Sequence, residues 1–488
     1  MSPLDEMAKL NHGGIFGIGD LRDIWREDEL NILLDRRLTN EEIAFIRDGL
    51  IRTISLLNFM NYNLTRLRQQ VEHWIKNSQK FDDNLPTLGR TGLSWPEKEN
   101  FQIFLNTLPK FAAPVLEEGF DTKLKLNEVM PFEVTDDKPD IVSHHIVNGH
   151  LKRLDGSVQR QRVIRKRLDT AQSRSEIDIL RYLRDRLPTN IQICTCICLV
   201  ESNDGETTHS LSLYAEYGDL EGVMKSNISS EKCIIPCLGQ LKGVAEALQF
   251  LHDKLAPDKD SHYCHLDLKP HNIVVFGLGS EPLSCDNVGI WKIIDFGISK
   301  VSKSHKTLVT TILGKDPPYR VTHTVSTTTQ QIGGIYQAPE VNYQNEKQMG
   351  RRSDIWSLGC IMAEILAASL GTLTNLREKM IQNRTAGHRL MNGNQSPYVF
   401  YEGKKSCICF LDESGFRVHK TLIYELNEMT RRGNPAFHEV LTECKGLIEK
   451  MVVIKRKKRM RSEHVVETLN HILEIPIPEN ETGGTQAT

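Results

Sequence analysis

Apolar side chains recur at helical spacing in two long stretches of the chain. In the first, Thr39-Asn40-Glu41-Glu42 has the form of a capping box and opens a run through Ile43, Phe45, Ile46, Leu50, Ile54, Leu56 and Leu57, which predicts one amphipathic helix. Polar sequence with aromatic residues continues to Trp74. A Pro/Gly-punctuated region (Leu85-Pro86, Gly89, Gly92, Trp95-Pro96) then precedes an apolar segment from Phe101 to Phe111, so residues 1–130 are expected to form a docked helical extension. In the second stretch, Leu241, Val244, Ala245, Leu248 and Leu251 predict a helix from Leu238 to near His252. Period-two patterning marks Cys194-Thr195-Cys196-Ile197-Cys198 as a buried strand with three thiols on one face. The apolar runs Ile273-Val274-Val275-Phe276 and Trp291-Lys292-Ile293-Ile294 flank a segment, Gly277 to Asp286, that fits a lengthened hairpin. Residues 476–488 are rich in Pro, Glu, Gly and Thr and are expected to be disordered.

A length of 488 residues implies two or three folding units, and 39% hydrophobic content supplies their cores. The formal charge of −2 offers no global attraction to nucleic acid or anionic membrane. No apolar run reaches the roughly 18 residues of a spanning helix, and the N-terminus does not resemble a signal peptide. Eleven cysteines, an odd number with no signal, fit a reducing compartment better than a disulfide framework. The expected location is cytoplasmic or nuclear, the latter because Lys455 to Arg461 is basic enough to serve as a nuclear address. Neither the 194–198 run, Cys407-Ile408-Cys409, nor Cys233 and Cys237 around Pro236 has the His/Cys spacing of a zinc finger, so no metal ligand is assigned to cysteine.

Candidate chemistry centres on His265-Leu266-Asp267-Leu268-Lys269-Pro270-His271-Asn272. A carboxylate, an amine two residues later and an amide three beyond that, with proline stiffening the loop, suit the alignment of a hydroxyl, a phosphate and a metal ion. Phosphoryl transfer is therefore the predicted chemistry. Asp295-Phe296-Gly297, Ala338-Pro339-Glu340 and Ser353-Asp354-Ile355-Trp356-Ser357-Leu358-Gly359 follow in order. With these motifs the chain resembles the eukaryotic-type protein kinases, Ser/Thr-like, over roughly residues 131 to 475. Residues 1–130 are similar to the N-terminal regions of kinase-like proteins of filamentous fungi. The resemblance implies an α+β, two-lobed protein kinase fold, with a small β-rich lobe over 131–216 and a large, mainly helical lobe over 217–475 behind the helical extension. It also implies ATP and Mg2+ as cofactors and a protein substrate.

By the same resemblance Asp267 accepts the proton of the attacking hydroxyl, Lys269 neutralises charge on the transferring phosphoryl group, and Asn272 and Asp295 hold magnesium. Val163-Ile164-Arg165-Lys166 resembles the strand whose lysine holds the α- and β-phosphates; Lys166 has that role, or is one solvated charge among Arg160, Arg162, Arg165 and Arg167. Ser175 to Leu183 looks like the helix that carries the lysine's acidic partner, here Glu176. Leu211 to Leu220 resembles the hinge, where the backbone of Ala215 and Glu216 would pair with adenine. Asp354 is expected to bond the catalytic-loop backbone, and Glu340 to pair with Arg459.

Three positions depart from the family pattern. No glycine occurs from Pro131 to Asn148, where a Gly-rich loop would approach the phosphates. Leu266 replaces the arginine that pairs with a phosphorylated activation loop, which uncouples the hydroxyl-rich segment 299–329 from Asp267. Gly333 stands where Ser/Thr kinases carry a threonine that contacts the catalytic Asp and Lys. The expected function is an ATP- and Mg2+-dependent protein Ser/Thr kinase with no nucleic-acid or membrane partner, its extension packed on the kinase domain or binding a partner. The alternative is a pseudokinase acting as a binding or scaffolding module. A small-molecule phosphotransferase is disfavoured by Ala338-Pro339-Glu340 and the Asp354 segment.

Overall fold

Local chemistry starts and stops the helices at the N-terminal end. The computed structural model describes residues 3, 7, 16, 18–60, 62–82, 103, 104, 107, 108, 111, 113–124, 128, 130–132, 142–147, 151–157, 161–187, 191–255, 261–278, 281–296, 300–303, 335–342, 350–383, 400–403 and 416–478. They divide into two compact units, Met1–Ala171 with Cys196–Tyr214, and Gln172–Thr195 with Ala215–Thr488. The expectations that concern Gly297, Gly333, Cys407, Cys409, the hydroxyls from Ser304 to Thr329, residues 133–141 and the tail beyond 478 fall outside the described residues.

The first unit opens with α1 (Ile18–Ile24), α2 (Glu27–Leu34), α3 (Asn40–Gly49), α4 (Ile51–Phe59) and α5 (Leu64–Lys76). At the head of α3 the Glu42 N–H donates to Thr39 Oγ1 (3.2 Å) and the Thr39 N–H to Glu42 Oε2 (2.8 Å), the capping box read from the sequence. Arg36 joins Glu42 to Glu72 of α5 (2.8 and 2.6 Å), and its guanidinium, with the Thr39 amide, holds the Glu42 carboxyl down at about 2.

The single helix expected through Leu57 is instead two, because Leu50 (φ −132°, ψ −7°) leaves helical geometry. A Cβ at Gly49 would run into the Lys80 side chain, and the Phe81 N–H donates to the Gly49 carbonyl (2.9 Å). The chain end of α3 is thus claimed by the 80–82 segment. Asp82 then caps α4 from a distance: its carboxylate accepts the Arg52 N–H, the Thr53 N–H and the Thr53 hydroxyl, each at 2.9 Å. Residues 51 to 57 of α4 are all buried, and its polar Ser55 is satisfied by donating to the Ile51 carbonyl and accepting from Trp25 Nε1 (2.9 Å).

Strands β1 (Leu116–Glu117), β2 (Thr122–Lys123), β3 (Val142–Val147), β4 (Leu151–Lys152), β5 (Gln161–Asp169), β6 (Cys198–Glu201) and β7 (Thr207–Leu213) follow. Five of them form one sheet in the order β2-β6-β7-β5-β3, antiparallel except for β2 on β6. On β5 the side chains alternate, so Val163 and Arg165 share one face and Ile164 and Lys166 the other. Val163 packs with Phe132, Val147 and Leu211, which puts the apolar core on its face and leaves Lys166, half-buried, on the opposite one. The run from Cys194 to Cys198 is strand only at its last residue. The Cys194 N–H donates to the Ile293 carbonyl (2.9 Å) in the second unit, and the division between units falls at Thr195 and Cys196.

The second unit is mainly helical, with α6 (Arg174–Arg186), α7 (Leu220–Ser226), α8 (Ile234–Asp253), α9 (Pro339–Asn342), α10 (Arg351–Ser369), α11 (Leu373–Gln382), α12 (Lys420–Arg432), α13 (His438–Met451) and α14 (Ser462–Leu473). Its antiparallel strand pairs are β8 (Ser261–Cys264), β9 (Ile273–Phe276), β10 (Ile290–Ile293), β11 (Lys300–Lys303), β12 (Tyr401–Gly403) and β13 (Phe416–Val418), joined as β8 with β11, β9 with β10 and β12 with β13. α8 begins four residues before Leu238, with Pro236 in its first turn where a missing N–H costs nothing. Every residue of α10 from Ser353 to Ser369 is buried, as expected of a helix at the centre of a core. A Cβ on Gly359 would lie 2.8 Å from Val452 Cγ2 and 2.9 Å from Met451 Cβ, so glycine sets how closely α10 meets the end of α13. Among the described residues no helix is long and apolar enough to cross a membrane. Cys233, at the head of α8, is disulfide-bonded to Cys285 in the hairpin loop, which departs from the expectation drawn from the cysteine count.

Candidate active site

The site is built on the turn between β8 and β9, and a carboxylate from the core shapes that turn. Asp354, on α10 and fully buried, accepts the N–H groups of His265 (2.9 Å) and Leu266 (2.7 Å) and lies 2.8 Å from His252 Nε2. Holding both amides at once imposes a left-handed backbone on Leu266 (φ 66°), an unfavourable conformation for a side chain with a Cβ. The Leu266 side chain is buried, which offsets part of that cost. The His265 ring carries its hydrogen on Nε2, since Nε2 faces the Ile294 carbonyl (2.9 Å) while Nδ1 accepts the Asp267 N–H (3.3 Å). The turn is thereby tied to the end of β10.

Asp267, Lys269 and Asn272 are brought together. Asp267 Oδ2 accepts Lys269 Nζ (2.7 Å) and Asn272 Nδ2 (3.1 Å), and Asn272 Nδ2 also donates to the Asp267 carbonyl (2.8 Å). With its nitrogen committed to Asp267, Asn272 presents an amide oxygen. The Ile294 N–H donates to the Asn272 carbonyl (2.9 Å), so the β9–β10 register sets Asp295 beside Asn272. Asp295 is exposed and left-handed (φ 63°), and the next residue, Phe296, is buried with its ring edge against His265 at 5.2 Å. Two oxygen donors at one end of a hairpin suit a hard divalent cation, which takes one or two protein ligands and completes its shell with phosphate and water.

Lys166 sits on β5 of the first unit opposite Ser210 and Val142. Glu176 lies in the first turn of α6 in the second unit, half-buried, on a helix held down by Tyr182, whose hydroxyl donates to the Leu255 carbonyl (2.9 Å). Ala215 and Glu216 begin the second stretch of chain in the second unit; the Ala215 carbonyl accepts the Gly218 N–H (3.2 Å), and the Glu216 carboxylate accepts the Gly277 N–H (3.0 Å). Glu340 pairs with buried Arg459 (2.7 Å) and accepts from Ser353 Oγ (2.9 Å), as the sequence indicated.

Two features carry no sequence signal. Gln337 Nε2 reaches the Leu266 carbonyl (3.3 Å) and Asp267 Oδ1 (3.4 Å). Arg377 bridges Glu221 (2.6 Å) and Glu364 (2.7 Å), and Glu364 also accepts the Tyr336 hydroxyl (2.6 Å). Burial opposes ionisation of Glu221, yet Arg377 and Lys225 outweigh it and hold its carboxyl at about 2. The Gln337–Asp267 and Arg377–Glu221 contacts span 70 and 156 residues, and no short-range spacing or periodicity announces a contact of that length.

Residues 157–471, more than half of the chain, match the family described as "Protein kinase domain". The chain is 30% identical over 207 residues to the serine/threonine-protein kinase MPS1 of Encephalitozoon cuniculi, covering 41% of this chain and 28% of that protein. It is 31% identical over 121 residues to a probable serine/threonine-protein kinase, MRK1 homolog, of the same organism (25% and 26%). It is 29% identical over 154 residues to the probable serine/threonine-protein kinase nek3 of Dictyostelium discoideum (31% and 11%). The matches therefore span between 11% and 28% of these relatives' lengths.

Proposed function

The chain belongs to the protein kinase domain family, and from that premise we propose that it is an ATP- and Mg2+-dependent kinase acting on Ser/Thr hydroxyls of a protein. The observation that carries the reading is the Asp267 carboxylate, held by Lys269 and by Asn272, whose carbonyl accepts the N–H of Ile294, the residue before Asp295. In the reaction the substrate hydroxyl oxygen bonds to the γ-phosphorus as the bond from that phosphorus to the β,γ-bridging oxygen breaks. ADP leaves, and the hydroxyl proton passes to Asp267. Lys269 places positive charge near the phosphoryl oxygens, and Asp267 orients the nucleophile, so the protein contributes mostly position and charge. Asn272 and Asp295 would hold Mg2+, which when bound neutralises phosphate charge. Lys166 is proposed to hold the α- and β-phosphates with Glu176 as its acidic partner, and the Ala215–Glu216 backbone to meet adenine. The two-lobed arrangement of the kinase fold is part of this proposal.

Replacing Asp267 by Asn removes the orienting carboxylate with little change in volume. Asp267→Asn should abolish transfer to a protein substrate while leaving ATP-Mg2+ affinity and folding near those of the parent. Equal activity in mutant and parent would overturn the reading.

Two observations favour a pseudokinase that binds partners without catalysis. The Gly218 N–H, in the stretch proposed for adenine, is already donated to Ala215, and Leu266 replaces an arginine. Calorimetric titration with ATP, with and without Mg2+, separates the two: no binding by the parent favours the scaffold.

A further inference from the structure

The mechanism above leaves one buried polar side chain at the site without a role. Gln337 is 5% exposed and lies between Tyr336, whose hydroxyl donates to Glu364 and whose carbonyl accepts from Ser357 Oγ (2.9 Å), and fully buried Ala338. From there its amide points back across 70 residues of sequence to Asp267 Oδ1 and, one peptide earlier, to the Leu266 carbonyl. Oδ2 of the same carboxylate is taken by Lys269 and Asn272. The two oxygens of Asp267 are therefore held by different parts of the chain.

That division has a physical consequence. Rotation about the terminal bond of an aspartate is soft, so donors on one oxygen alone leave the carboxylate plane poorly defined. A donor on the second oxygen removes the remaining freedom. An amide suits the task because it keeps its hydrogens at any pH and adds no charge to compete with Lys269. The same amide grips the carbonyl of Leu266, the left-handed residue that aims Asp267. Orientation matters here because a misaligned general base loses rate without losing substrate.

We propose that Gln337 is a positioning residue for Asp267: it fixes the plane of the carboxylate and joins it to the Ala338-Pro339-Glu340 segment. The inference rests on the kinase reading above. It implies that the base is oriented by a loop residue 70 positions downstream, so any rearrangement of residues 335–340 alters the aim of Asp267.

The test uses the full chain and a generic basic protein as phosphoryl acceptor. Gln337→Met keeps the volume and removes the donor; kcat should fall about tenfold, with KM for ATP and the calorimetric ATP-Mg2+ affinity unchanged. Gln337→Glu sets a second carboxyl against Asp267, so the acidic limb of the kcat profile should move to higher pH, by about one unit, because two adjacent carboxylates do not readily ionise together. A merely structural role predicts neither the split between kcat and KM nor the displaced limb. Gln337→Asn, with the donor retained on a shorter arm, should recover part of the rate lost in Gln337→Met. If Gln337→Met does not fold, the Gln337→Glu profile decides. An active parent whose variants share its kcat and pH profile overturns this inference alone. A parent that transfers no phosphoryl group overturns the kinase reading and the inference with it.

Discussion

Asp354 serves three donors with one buried carboxylate, and its removal leaves the N–H groups of His265 and Leu266 and the His252 ring without their acceptor. Each unsatisfied buried group costs about 1–3 kcal/mol, so Asp354→Ala should lower the unfolding free energy by about 3–5 kcal/mol, measured by denaturant titration. A loss under 1 kcal/mol would mean that the left-handed turn at Leu266 is held by packing. Lys166 offers a second test at this scale. If it makes a charge-assisted contact with phosphate, Lys166→Met should weaken ATP-Mg2+ binding by roughly 10- to 100-fold; unchanged affinity would make it one charge of a basic strand face. Asp267, Lys269 and Asn272 were legible in the sequence because their contacts form within six residues, where spacing dictates geometry. Gln337 was not, since its contact with Asp267 depends on how two distant turns meet.

Helix α4 shows how an element escapes a sequence pattern. Its apolar spacing continues that of α3 without interruption, and only the partners at Gly49 and Asp82 divide the two. Such a cap lies 30 residues from the amides it serves, whereas the Thr39–Glu42 box lies within the helix it starts and was readable at once. Asp82→Ala should cost about 1–3 kcal/mol and speed hydrogen exchange at residues 51–59 more than in α5. Uniform exchange across the first unit would contradict local capping. The 194–198 run failed as a strand for a related reason. Its alternation is genuine, but the backbone of Cys194 is recruited by Ile293 and leaves the ladder.

Over the whole molecule, two imidazoles make acid a denaturant. Burial, with Arg165, Arg167 and His145 nearby, lowers His209 from 6.5 to about 4; burial, then Arg351 and His252, does the same to His262. Between those values the unfolded chain binds more protons than the folded one. The stabilisation is therefore complete above pH 6.5 and is lost as pH falls toward 4, before Glu42 and Glu221, both held at about 2, begin to titrate. The melting temperature should fall over that window, and His209→Gln with His262→Gln should flatten the fall; a parent profile already flat from pH 7 to 4 would contradict both assignments. At this scale the motifs indicated the family, whereas the disulfide was hidden, because a count of cysteines does not say which two are neighbours. The bond between Cys233 and Cys285 has a topological side. It turns the 52-residue separation between them into a macrocycle, a closure worth about 4 kcal/mol on the chain-entropy scale, and Asp267, Lys269 and Asn272 are members of that ring. A single backbone cut inside a ring opens it and releases nothing, so a nicked chain would run as one species until reduced, and the candidate catalytic segment is a stretch that one proteolytic event cannot detach.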